Sequence, residues 1–378
     1  MRIIERGFLN RGEPGTRRAI STFPSLTALA DGGLLATYRV GSTKDSDDET
    51  IELRRSSDGG RSWSEPDSPF ESTVDGVRGS LKLAYITEIN DQHLLAAAMW
   101  VDRQAYPGEP LFNDETEGCL PMKILHADSH DGGRSWSHWR VLPIPAEIGP
   151  PSLTNPVLRL PSGRLAISIE TNKNYEDLRD WLQRVVYIYS SDGGQSWSSP
   201  VTTCQDPTAH IFNWDQRAGV GPDGRLVTFT WTYERETTEY LNIRRRFSSD
   251  EGATWSEPED LGFTDQASHP AILPDGRVVL AWVDRFHTRS IRARLATAID
   301  APFLPESEVV LYELEAIAPK TTTGEGNTGD LLAEMGIWSF GLPFAEALPD
   351  GEVLVVYYEG DASLMRVCWA RLSLSASG

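Results

Sequence analysis

The chain has 378 residues, and Lys+Arg 35 against Asp+Glu 55 leaves a formal net charge of -20. No basic block occurs in it, which argues against nucleic acid or an anionic membrane as partner, since both demand clustered Lys and Arg. No apolar run suits a signal peptide or a membrane span, and Cys119, Cys204 and Cys368 are odd in number and far apart, so a cytoplasmic protein without disulfides or a zinc site is expected.

Along the chain one pattern recurs: an apolar run, a D-G or similar turn, then another apolar run. It begins with "FPSLTALADGGLLATYR" at Phe23 and "LAYITEINDQHLLAAAMW" at Leu83. "NPVLRLPSGRLAISIE" at Asn155 and "QRAGVGPDGRLVTFTWT" at Gln216 follow, then "HPAILPDGRVVLAWVDR" at His269 and "GLPFAEALPDGEVLVVYYEG" at Gly341. These six units recur about every 50 to 75 residues. Each reads as a hairpin of two short β-prone strands, followed by a third strand such as "TIELRRS" and a weakly marked fourth. Helical periodicity is nearly absent; "NYEDLRDWLQRV" at 174–185 reads as a short helix or an extended loop. Four antiparallel strands repeated six times predict an all-β, six-bladed propeller, a single domain over 1–378. The first strand, "RIIERGFL", is expected to pair with the last blade, because closure removes open edges.

After the third strand of units one to four stand "SSDGGRSWSEP", "SHDGGRSWSHW", "SSDGGQSWSSP" and "SSDEGATWSEP". Turn chemistry accounts for the pattern. The Asp and the preceding Ser bond to backbone N–H groups of their own turn, Gly accepts a positive φ, and Trp packs beside its blade. Asp58, Asp131, Asp192 and Asp250 are therefore read as structural staples. Units five and six lack the motif.

If the first strand of each unit runs away from the functional face, that face collects the residues before each first strand and the loops after each second strand. The long loops 101–121, 171–184 and 232–241 and the connector 312–338 fall there. So do Arg39, Asp45, Asp47, Asp48, Asp102, Arg103, Asn155, Glu170, Lys173, Asp215, Arg217 and Tyr233. Glu234, Arg235, His269, Asp284, Arg285, His287, Arg289, Trp338 and Glu359 complete the set. Carboxylates, arginines and aromatics converging on a funnel suit a hydroxyl-rich ligand such as a sugar.

Four Asp boxes on six D-G-marked units resemble the sialidase (neuraminidase) superfamily, the bacterial neuraminidase repeat proteins, over essentially the whole chain. The resemblance implies a six-bladed propeller and a site with three arginines on the substrate carboxylate, an aspartate acid/base, and a tyrosine nucleophile activated by a glutamate. The aspartate's place falls on "STKDSDDE", with Asp45, Asp47 and Asp48, and the glutamate's on Asp215, a shorter carboxylate. Thr22 in "STFP" occupies the first arginine's slot. Trp231 stands nearest the second, with Arg235 further along. Arg285 and Arg289 fall at the third. "WSFGLPF" carries no tyrosine. Glu359 in "YYEG" matches the glutamate that steadies the first arginine.

Three functions are compatible with these residues. The first is a glycoside hydrolase on an acidic or otherwise polar sugar, with Asp215 as base or nucleophile and Asp45, Asp47 or Asp48 as acid. Arg39, Arg285, Arg289, Arg235, Tyr233, His269 and Glu359 would bind its substrate. The second is a uronate lyase with Tyr233, His269 or His287 as base and an arginine or cation on the carboxylate. The third is a non-catalytic carbohydrate-binding propeller. No His/Cys/Asp spacing resembles a metal-ligand set and no cofactor motif occurs. The sugar, its linkage and the oligomeric state are not specified.

Overall fold

The structure, a computed structural model, describes residues 1–314 and 328–374. The architecture is all-β and propeller-like. Four sheets stand apart as separate five-stranded blades. They are built on units two to five: on the first and second strands Val77–Asn90 with His93–Asp102 and Ile211–Val220 with Leu226–Glu234, and on the second and third strands Leu165–Glu170 with Arg184–Ser190 and Val278–Asp284 with Ser290–Ala296. The other strands form one seven-stranded sheet, not two further separate blades. Within it Phe340–Ala347, Val353–Gly360 and Met365–Ser373 run on into Ile20–Ala28, Leu34–Gly41 and Thr50–Ser56, while the N-terminal strand Arg2–Asn10 pairs antiparallel along Met365–Ser373. The expected six separate sheets are thus five. The cause is local: Ile20 pairs in parallel with Met365, whose N–H donates to the Ala19 carbonyl at 3.0 Å, stitching the last unit to the first.

Second strands such as "LLATYRVG" at Leu34–Gly41 and "VVLAWVD" at Val278–Asp284 are buried at every position. Each lies between two strands of its own sheet and is covered on both faces, so its sequence runs apolar without alternation. The segment 174–183 forms no helix; it is a loop. The one α-helix among the described residues, Thr328–Glu334, lies in the connector, and residues 315–327 of that connector lie outside the described residues. No helix among the described residues is long and apolar enough to cross a membrane.

The first strand of every unit is interrupted at one level. Register shifts fall between Thr22 and Ser25, Leu81 and Leu83, Trp214 and Arg217, and Gly341 and Phe344. In units three and five the strand is split, Ser152–Leu153 from Leu158–Arg159 and Gln266–Ala267 from Ala271–Ile272. Phe23, Asp215 and Leu342 hold φ of 49°, 46° and 44° at these bulges. A left-handed backbone at a residue other than glycine costs about 1–3 kcal/mol and re-aims the side chain.

The Asp turns hold as local hydrogen-bond cages. Ser56 Oγ accepts the Gly60 N–H at 2.9 Å, and Asp58 Oδ1 accepts the Arg61 and Ser62 N–H groups at 3.0 and 2.9 Å. The turns at Asp131, Asp192 and Asp250 repeat this arrangement. Burial nudges the Asp58 carboxyl up, but the Ser62 and Ser56 contacts overrule it and bring it down to about 2. A depressed carboxylate contributes stability above its unfolded value, which is lost as pH falls through the folded value. Asp58→Asn should therefore lower Tm by about 2–5 °C near neutrality. That difference should shrink toward a pH of about 2, where the native carboxylate is itself protonated; thermal melts across pH check this.

Candidate functional site

The bulges converge on a central cavity of about 400 Å3 lined by residues from the first strand of every unit. Phe23, Lys82, Thr154, Asp215, Gln266 and Leu342 all face it, and none of the Asp-turn residues does. From the strands and loops behind come Arg39, Lys44, Asp45, Glu170, Arg217, Arg285 and Tyr358. Its apolar wall includes Trp181, Trp214, Trp231 and, from the connector, Leu332, Met335 and Trp338.

One side carries two carboxyls together. The Asp215 N–H donates to Glu170 Oε2 at 2.8 Å, and Arg217 Nη2 donates to Asp215 Oδ2 at 2.7 Å. Arg217 is itself braced by the Tyr85 hydroxyl at 2.7 Å. Burial, joined by the charge of Asp215, pushes the Glu170 carboxyl up to about 8. Burial also raises Asp215, opposed by Arg217. Two buried carboxyls whose charges interact, one of them ion-paired, favour ionisation of the paired one and a proton on the other.

The other side is cationic. Lys44 Nζ donates to the Met335 and Trp338 carbonyls at 2.8 and 2.5 Å and to the Tyr358 hydroxyl at 3.1 Å. Arg285 donates to Gln266 Oε1 and the Phe340 carbonyl, both at 3.0 Å, and lies 3.9 Å from the Trp338 ring centre. Among the described residues no carboxylate lies within ion-pair distance of Lys44 or Arg285. Burial, then Arg285 and Arg39, hold the Lys44 amine well below its usual range. Burial raises the Tyr358 phenol while Arg285 and Arg39 oppose it.

Two side chains reach the cavity from second strands, across from their first strands. Arg39 is the cross-strand partner of Thr22 and donates to its hydroxyl at 3.0 Å. Tyr358 is the partner of Gly341, where a Cβ would stand 3.0 Å from the Tyr358 hydroxyl and from Arg285 Nη2. A glycine there makes room for the phenol.

Of the mouth residues singled out from sequence, Arg39, Asp45, Glu170, Asp215, Arg217, Arg285 and Trp338 line the cavity. Asp45 is bound up with Lys82 and Arg103, and it accepts the Leu111 N–H at 2.8 Å. Burial pushes its carboxyl up, but those two cations overrule burial and hold it well below the usual range. A carboxyl so held is no proton donor. Asp48 caps its own loop through Ser42 and Ser46, and Asp47 is exposed beside Arg78. Arg235 pairs with Glu117 at 2.6 Å, Glu359 with Arg366 at 3.0 Å, and Tyr233 stacks on Trp214 at 4.7 Å. His269 stacks on Phe344 at 4.2 Å with Nδ1 beside Asn155, and burial lowers it to about 3, so it stays neutral. Arg289, with φ of 51°, stands on the turn before Ser290–Ala296, outside the cavity lining. Asp265, Asp284 and His287 gather their ligand atoms within 4.8 Å, but Asp265 already accepts the Arg285 N–H and Asp284 the His287 N–H.

Lys44 and Lys82 were passed over in the sequence. Lys82 is 2% exposed and also reaches Glu49 at 2.7 Å, a carboxylate shared with Arg39 at 3.2 Å. Lys82→Met should destabilise the fold by about 3–5 kcal/mol by removing one buried partner from both Asp45 and Glu49. Denaturant unfolding of the variant measures this.

No family model matches the chain. A stretch of 122 residues, 30% of the chain, is 31% identical to a sialidase of Micromonospora viridifaciens and spans 18% of that protein's length. Among solved structures, a protein of unknown function from Dyadobacter fermentans superposes with a TM-score of 0.73 at 20% identity, covering 99% of both chains. The NanB sialidase of Streptococcus pneumoniae gives 0.65 at 14% identity, over 96% of this chain and 70% of that one. An α-L-arabinanase of Penicillium chrysogenum, complexed with arabinobiose, gives 0.65 at 15% identity over 99% of both. At these identities the likeness is one of fold. The fold of this chain is sialidase-like, as its repeats suggested.

Proposed function

We propose that the chain is a carbohydrate-acting enzyme, a glycoside hydrolase working on an acidic or otherwise polar sugar. Its architecture is read as one six-bladed domain, with the seven-stranded sheet counted as the first and last blades joined at Ile20. The observation that carries the reading is the contact of Asp215 with Glu170 inside a cavity that also holds Lys44, Arg39 and Arg285.

Two neighbouring carboxyls away from bulk water cannot both ionise cheaply. Arg217 favours the anion on Asp215, so the proton resides on Glu170. Glu170 is then the acid that protonates the glycosidic oxygen, and Asp215 the base or nucleophile on the other side of the reaction. The acid role expected of Asp45 passes to Glu170, because Lys82 and Arg103 keep Asp45 ionised. Arg39, Lys44 and Arg285 hold an acidic substituent, and the Tyr358 hydroxyl donates beside them.

A second reading, β-elimination on a uronate, is favoured by one feature: Lys44, Arg39 and Arg285, cations suited to neutralise a carboxylate, gather with the Tyr358 hydroxyl in the cavity. An unsaturated product absorbing in the ultraviolet would identify it.

Turnover of a panel of fluorogenic glycosides, sialosides and uronides included, tests the hydrolase reading. Asp215→Asn and Glu170→Gln should each lower kcat/KM by about 10²–10⁴-fold. Full activity in Asp215→Asn would sink the assignment. Because the protonated form of Glu170 is the working one, the rate should fall as pH rises through about 8. Glu170→Gln should remove that alkaline limb from the pH–rate profile.

A further inference from the structure

We infer that the central cavity has an apolar subsite for a planar aryl group, the leaving group of the reaction proposed above, and this identification of its role rests on that reading. The subsite lies between Trp214 and Trp231, cross-strand partners in unit four, and Leu332 and Met335 of the connector helix and its following turn. Trp181 closes the side next to Glu170, its indole N–H donating to the Thr171 carbonyl at 3.3 Å.

Three observations select an aryl group over a second sugar ring. First, the indole N–H groups of Trp181 and Trp231 and the amide N–H groups of Asn172 are already used. Trp231 donates its indole N–H to the Ala267 carbonyl at 2.7 Å, and Asn172 donates to the Pro150 carbonyl and the Ser152 hydroxyl. A sugar seated here would leave its hydroxyls without partners, which a flat apolar ring avoids. Second, the side chains of this wall, Trp214, Trp231, Leu332 and Met335, are all apolar, and Lys44 meets Met335 through its main-chain carbonyl. Third, the wall adjoins the proton donor: Trp214 precedes Asp215 in the chain, and Thr171 follows Glu170. A group departing with the proton from Glu170 leaves along these indoles.

Calorimetric titration with 4-nitrophenol, an aglycone without a sugar, tests the subsite apart from turnover. Saturable binding is expected, weakened about tenfold or more in Trp214→Leu and in Leu332→Ser, two changes on opposite walls. Circular dichroism of both variants shows that they fold, and either one alone suffices for the comparison. No saturable binding to the native chain, or binding unchanged in the folded variants, would overturn the inference. Saturable binding lost in the variants, with the glycoside panel silent, would keep the subsite and remove the hydrolase reading. Turnover without 4-nitrophenol binding would do the reverse.

Discussion

Everything at the centre of this molecule depends on the interruption of the first strand in each unit. An unbroken strand turns alternate side chains toward and away from the axis, and neighbouring strands then fill the centre with apolar groups. Here one or two residues are displaced from register in four units, and the strand is split in the other two. The displaced positions carry Phe23, Lys82, Asp215 and Leu342 into the cavity. Left-handed backbone at Phe23, Asp215 and Leu342 is unfavourable in isolation. It persists because ladders on both sides of each bulge, and the covered second strands behind them, fix the backbone.

With the first strands bent in this way, charge separates across the cavity. Buried cations need counter-charges, and the two sides solve that differently. Lys82 and Arg103 share Asp45 and Glu49 in a structural network, while Arg39 pairs with Glu49 and also lines the cavity. Lys44 and Arg285 instead rest on carbonyls, an amide and a phenol. Carbonyl oxygens solvate a cation without neutralising it, so this corner retains an attraction for an anion. Opposite it, Arg217 pairs with Asp215. Burial raises the Glu170 carboxyl, and the charge of Asp215 adds to it.

Much of this was legible in the sequence wherever the determinant is local. The Asp turns are set by four or five consecutive residues, so Asp58 and its repeats read correctly as staples. Arg39, Asp45 and Arg285 follow from strand ends and reach the cavity. What depends on register was not legible. Tyr358 and Glu359 are adjacent, and alternation sends one to the cavity and the other to Arg366. Tyr233 and His269 stand at the right level but face aromatic neighbours, Trp214 and Phe344. Glu170 was among the mouth residues without a role, because its character comes from burial in the folded cavity, with Asp215, 45 positions away, beside it. The separation into six sheets failed on one contact, Ile20 with Met365, that no repeat period encodes.

The central claim is that Glu170 keeps a proton which Asp215 cannot keep in its place. Infrared difference spectroscopy of the native chain against Glu170→Gln, across pH, measures that proton directly through the carbonyl stretch of a protonated carboxyl. A protonated band at neutrality, disappearing as pH rises through about 8 and absent from the variant, is the result the account predicts. An ionised Glu170 throughout the neutral range would contradict it, and with it the acid role on which the proposed chemistry stands.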